Sequence, residues 1–94
     1  MITRIVKMTI QPEKIDQFNR IFNDSVKLIQ EYDGCLGVQL MKDVNQENVY
    51  FTISKWQTES HLNIYRKSKF FGNTWSTVKV LFAGKAEAWS LENV

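Results

Sequence analysis

Apolar and polar residues alternate at the start of the chain. In "ITRIVKMTI", Ile2, Val6, Met8 and Ile10 fall on one face, with Arg4 as the charged exception among them, while Thr3, Lys7 and Thr9 take the other. That period of two belongs to a half-buried strand. "QPEK" then sets a proline in a first helical turn with Glu13 beside it, which suits the positive end of a helix dipole. From Ile15 onward the period changes: Ile15, Phe18, Phe22, Val26, Ile29 and Tyr32 recur at spacings of three and four. This is the stripe of an amphipathic helix of about 20 residues. "YDG" closes it, with Gly34 free to take the left-handed conformation common at helix C-termini.

"CLGVQLMKD" and "VYFTISKW" read as a second and a third strand, joined through the polar turn "NQEN" into an antiparallel hairpin. "QTESHLNIYRKS" follows as a short helix with Thr58 as N-cap and Leu62 and Tyr65 facing inward. Ser68 caps a further helical piece, "KFFGNTWSTVKVLF", in which Phe71, Trp75, Val78 and Phe82 keep a helical spacing. "AGKAEAWSLE" is the fourth strand. The order β-α-β-β-α-β predicts one ferredoxin-like α+β domain over residues 1–94, a four-stranded antiparallel sheet with its helices on one face. Apolar bulk sits on both sheet faces, with Tyr50, Trp56, Ala86 and Ala88 on or near one and Val49, Phe51 and Ile53 on the other. Helices on one side cannot cover both, so the open face is expected to pair with a second copy as a homodimer.

Composition narrows the function. An apolar fraction of 44 % in 94 residues is that of one folded domain. The net charge is only +2, with both signs interleaved, so no basic tract proposes nucleic acid or an anionic membrane surface. "VYFTISKW" also lacks the basic-glycine-aromatic signature of a sheet that stacks RNA bases. No apolar run approaches the roughly 20 residues that span a bilayer. Arg4 and Lys7 interrupt the first apolar run, so it cannot be a signal-peptide core. Cys35 is the single cysteine, which excludes an internal disulfide and fits a reducing compartment; a cytoplasmic protein is expected.

One histidine and one cysteine without clustered carboxylates give no ligand set, so no metal is expected. The scattered glycines exclude a phosphate loop. What remains is a pocket. Phe18 and Phe22 of the first helix converge with Tyr65, Phe71 and Trp75, and the helical break around Lys67–Lys69 leaves an entrance for a small aromatic molecule. The same residues would also serve as ordinary core.

The stretches "GCLGVQL", "SKWQTESHL", "RKSKFF" and "KAEAWSL" together resemble the antibiotic-biosynthesis monooxygenase (ABM) family, in its quinol-monooxygenase-like branch. Gly34-Cys35 and Trp56 followed by His61-Leu62 are the most specific parts. The resemblance implies a dimeric α/β barrel, a pocket for a flat phenolic substrate, and oxidation by O2 without metal, flavin or other cofactor. In quinol-monooxygenase-like members histidines commonly stand at the positions of Tyr65 and Phe70. In haem-degrading relatives a histidine matches Trp75 and an asparagine lies near Ile5. This sequence carries none of these.

The expectation is therefore a cofactor-independent monooxygenase of a small quinol or polyphenol. Tyr65 would orient the substrate hydroxyl, Trp75 and Phe71 would form flat walls beside Phe18 and Phe22, and His61 would take the proton if it reaches the pocket. The alternative is a non-catalytic dimeric module of the same fold that binds a small aromatic metabolite. The two differ in whether a titratable group points into the cavity. A redox role for Cys35 would need an accessible thiolate.

Overall fold

In the computed structural model, which describes residues 1–94, the alternating N-terminal segment forms strand β1, Ile2–Thr9. It is followed by helix α1 (Ile15–Gln30), β2 (Cys35–Lys42), β3 (Val49–Trp56), α2 (Glu59–Arg66), α3 (Lys69–Lys79) and β4 (Glu87–Glu92). The strands make one sheet in the order β2-β3-β1-β4, every neighbouring pair antiparallel. This is the ferredoxin-like α+β arrangement. No helix is long and apolar enough to cross a membrane.

Local chemistry sets the helix ends. Thr58 accepts the His61 backbone N–H at 3.2 Å and so starts α2. Ser68 accepts the Phe71 N–H at 3.1 Å and donates to the Tyr65 carbonyl at 2.7 Å, ending one helix and starting the next. The break around Lys67–Lys69 is thus built by one hydroxyl. Three expected boundaries move. The first helix is 16 residues, preceded by a separate 3-10 turn at Pro12–Lys14, and Tyr32 lies beyond its end. α3 stops at Lys79, because Leu81 and Ala83 are drawn onto the end of β1: Gln11 N–H donates to the Leu81 carbonyl and Ala83 N–H to that of Thr9, both at 2.8 Å. Phe82 therefore bridges to Ile10 instead of extending the helix, and β4 begins at Glu87, not Ala83.

Register sorts the side chains. Ile2, Arg4, Val6 and Met8 of β1 stand beside Trp56, Ser54, Thr52 and Tyr50 of β3, and this face meets the helices. Its core is in two parts. One gathers Met8, Ile10, Phe18, Tyr50, Val78 and Leu81; the other gathers Ile29, Val38, Trp56 and Leu62. Trp56 is wholly buried, and its truncation to Ala would cost about 3–5 kcal/mol. On the opposite face Ile5 pairs with Ile53 and Trp89, and Phe51 with Met41. No helix covers that side: Met41, Trp89 and Leu91 are 50 %, 42 % and 47 % exposed.

Candidate functional site: an aromatic cavity with two arginines

The two parts of the core do not close on each other. Midway along the helix-facing side of the sheet the side chains are small or polar: Thr52 and Ser54 of β3, with Ala88 of β4 and Ala86 just before it. Large aliphatics there would fill the gap to native density. Instead a cavity of about 330 Å³ remains between sheet and helices. That lies at the lower end of the range for small-molecule sites.

The rings of Tyr65, Phe71 and Trp75 line its helical side, and the series continues into the core at Trp56. Trp56 stacks on Tyr65 with ring centroids 5.0 Å apart, Tyr65 meets Phe71 edge-on at 5.2 Å, and Phe71 lies nearly parallel to Trp75 at 6.1 Å. These are the offset and edge geometries that favour ring pairs. Tyr65 also meets Tyr32 edge-on at 5.1 Å. Burial in this group pushes the Tyr65 phenol well above its ordinary value, and Tyr32 and Cys35 push the same way. At neutral pH the group is an O–H donor. Every sealed side-chain N or O atom in the molecule has a hydrogen-bond partner, so the Tyr65 hydroxyl, which has none, is not sealed in the core.

The cavity's charged groups come from two elements. Arg4 projects from the helix-facing side of β1, and Arg66 from the last turn of α2. Arg4 Nη1 donates to Ser90 Oγ of β4 at 2.9 Å. Desolvation lowers the affinity of Arg4 for its proton, and the charge of Arg66 lowers it further. The chain's sole ion pair, His61 Nε2 with Asp33 Oδ2 at 3.6 Å, involves neither.

Of the residues singled out in the sequence, Tyr65, Trp75, Phe71, Phe22 and Phe18 all line this cavity. Phe18 is at once cavity wall and core, 1 % exposed. His61 does not line it. Its Nδ1 shares a 2.6 Å hydrogen bond with Thr58 Oγ1, and its ring lies against Gly34, so it belongs to the junction of α2 with the α1–β2 turn. Phe70 also lies elsewhere, stacked on Tyr32 at 5.9 Å. Cys35 is half-buried outside the cavity, with Sγ 3.9 Å from the Gly37 carbonyl. Nowhere do three His, Cys, Asp or Glu side chains gather as a metal site would need.

Sequence reasoning missed the arginines and the Thr52–Ser54 floor. Arg4 left one signal, a cation at a position where the alternation called for an apolar residue. The titratable groups that reach the cavity are Tyr65, Arg4 and Arg66, with no imidazole and no carboxylate. Such a site can stack a ring, donate a hydrogen bond and hold negative charge. It has no side chain suited to accept a proton near neutrality.

A profile of the family described as antibiotic biosynthesis monooxygenase matches residues 1–74. No curated protein matches the sequence significantly. Among solved structures, one described as an antibiotic biosynthesis monooxygenase superposes with a TM-score of 0.93 at 19 % identity, covering 100 % of this chain and 99 % of that one. A conserved protein from Methanosarcina mazei Go1 gives 0.93 at 16 % identity, over 100 % and 94 % of the two chains. SnoaB, a cofactor-independent oxygenase from Streptomyces nogalater, gives 0.87 at 14 % identity over 98 % and 91 %. Identities this low speak to the fold alone.

Proposed function

This chain belongs to the antibiotic biosynthesis monooxygenase family, and from that premise we propose that it oxidises a small quinol or polyphenol with O2. The observation that carries the reading is the cavity itself, walled by Phe71 and Trp75, with Tyr65 beside them carrying a hydroxyl that has no partner in the chain. A flat ring enters between helices and sheet, and Tyr65 donates to one of its oxygens. The oxygen-reactive species is the ionised substrate, because triplet O2 takes one electron readily from an electron-rich anion and poorly from a neutral closed-shell molecule. With no imidazole or carboxylate at hand, the proton leaves to water.

One electron passes to O2, and the substrate radical and superoxide combine to form a C–O bond. The resulting peroxide then breaks its O–O bond. One oxygen stays as a new carbonyl, and the other leaves as water with the hydrogen of the attacked carbon and the proton released at the start. The substrate supplies all four electrons, and no further reductant is needed. The cavity's part is to hold the ring and exclude bulk water.

Oxygen uptake by the purified protein against a panel of quinols and anthrones, compared with autoxidation, tests this. Uptake that falls at least about tenfold in the Tyr65→Phe, Trp75→Ala double variant supports the assignment. A double variant that keeps more than half the activity refutes it. The absence of a base in the cavity favours a second reading, a binding module for a small aromatic metabolite. No uptake with any substrate from well-folded protein would refute the oxidation and shift the reading to that module.

The working unit in this proposal is a cytoplasmic homodimer. The uncovered sheet face carries Ile5, Phe51, Ile53, Trp89 and Leu91, and burying one large side chain there is worth roughly 1.5–3 kcal/mol. The free Cys35 is in keeping with a reducing compartment.

A further inference from the structure

We propose that Arg4 and Arg66 form an acid-binding subsite of the cavity, which holds the carboxylate of a hydroxylated aromatic acid while its ring lies along Phe71 and Trp75. This rests on the reading of the cavity as an aromatic site, and narrows the substrate class from quinols in general to those bearing an acidic group.

Three observations carry it. Arg4 occupies a core-facing position on a central strand, where its neighbours Val6 and Met8 are apolar. A guanidinium stays charged there and offers five N–H donors, of which one is used, on Ser90. Second, the chain has ten Asp and Glu residues, yet none comes within 4.0 Å of Arg4 or Arg66. Two unpaired cations therefore border one cavity that contains no anion. The Arg66 charge already opposes that of Arg4, so an anion bound there would relieve a repulsion as well as gain two partners. Third, both sit on the cavity that the aromatic series lines, so one ligand can meet ring walls and cations together.

The chemistry of the anion follows from the donors. A planar guanidinium fork matches a carboxylate in two parallel hydrogen bonds. Arg66 is exposed and Arg4 half-buried, so the acid would remain near the solvent end of the cavity and avoid the full cost of burying charge. The ring then points inward to the apolar walls, with its hydroxyl within the region of Tyr65.

Three ligands under anaerobic conditions test the subsite without turnover: gentisate, its methyl ester and hydroquinone, titrated by calorimetry. Gentisate is expected to bind at least about tenfold tighter than its ester, a difference of roughly 1.4 kcal/mol. The gap should close in Arg4→Gln and narrow in Arg66→Gln, with ester binding unchanged; thermal melts check that both variants fold. Equal binding of acid and ester, or a gap that survives both substitutions, overturns the subsite and leaves the aromatic cavity standing. Failure of all three to bind the wild-type protein overturns the cavity reading, and the subsite with it.

Discussion

Substituting Gly34 by Ala separates a structural from a catalytic role for the only histidine. Gly34 has φ +81°, where a Cβ costs about 1–2 kcal/mol. Its carbonyl also accepts the Gln57 N–H at 2.8 Å, which ties this turn to the end of β3 and prevents the backbone from simply relaxing. A Cβ at this position would run into the His61 ring. The ring is held by Thr58 Oγ1 at 2.6 Å, and moving it disturbs the α2 N-cap, worth about 1 kcal/mol. Gly34→Ala should thus cost about 2–3 kcal/mol in all.

His61→Ala alone should cost under about 1 kcal/mol. Its partner Asp33 has a side chain 97 % exposed, and the cap bond uses the His61 backbone, which the substitution keeps. In the double variant the clash with the ring vanishes, while the Cβ that alanine keeps at position 61 still opposes the added one, so the coupling falls to about 1 kcal/mol. Urea unfolding at one fixed protein concentration measures all four corners of the cycle. Additivity to within about 0.5 kcal/mol would refute the packing argument. The same His61→Ala protein should retain its oxygen uptake, since the ring does not line the cavity; a loss greater than about tenfold would return His61 to the chemistry.

Further outcomes are expected. Unfolded, Tyr65 releases its proton near pH 10.0, whereas native burial retains it, so above about pH 10 the unfolded state binds fewer protons and stability falls. Tyr65→Phe should remove up to about 1.4 kcal/mol per pH unit of that fall, read from urea curves at about pH 9 and about pH 11; an unchanged slope would contradict the buried phenol. Arg4→Leu should raise the melting temperature slightly, because it removes a partly desolvated cation that Arg66 repels, an effect that solvent screening of so open a group keeps under about 1 kcal/mol. A lower melting temperature would show that Arg4 holds the fold. Trp89→Glu should turn a dimer into a species of 11.1 kDa by light scattering; a wild-type protein already at that mass would end the case for pairing through the sheet.

The architecture was legible because its signals are local and periodic. The alternation in β1, the spacing of Phe18, Phe22 and Ile29 in α1, and the hydroxyls of Thr58 and Ser68 each act within a few residues of themselves. The five aromatic wall residues were legible for the same reason, since inward-facing positions of a known topology must converge. The end of α3 was not, because the backbone bonds from Gln11 and Ala83 that set it link segments about 70 residues apart in sequence. The position of His61 was equally non-local. It depends on Gly34 and Asp33 arriving beside α2, and spacing says nothing about that.

The places where local rules fail nevertheless fall into two groups, and the division is informative. Gly34 at positive φ and the hydroxyl breaks at Thr58 and Ser68 are each explained by a contact the structure supplies. Arg4 on an apolar face, Thr52 and Ser54 where the sheet has room for bulk, and a Tyr65 hydroxyl without a partner are not accounted for in that way: Ser54 accepts the Trp56 indole N–H at 3.0 Å and Arg4 gives one bond to Ser90, but neither contact fills the gap beside them. All four of these line the same cavity. A sequence shaped for stability alone would close that gap with aliphatics and remove the cation. The cost they impose converges on one small volume, and a ligand with a flat ring, a hydroxyl and a negative charge would satisfy each of them.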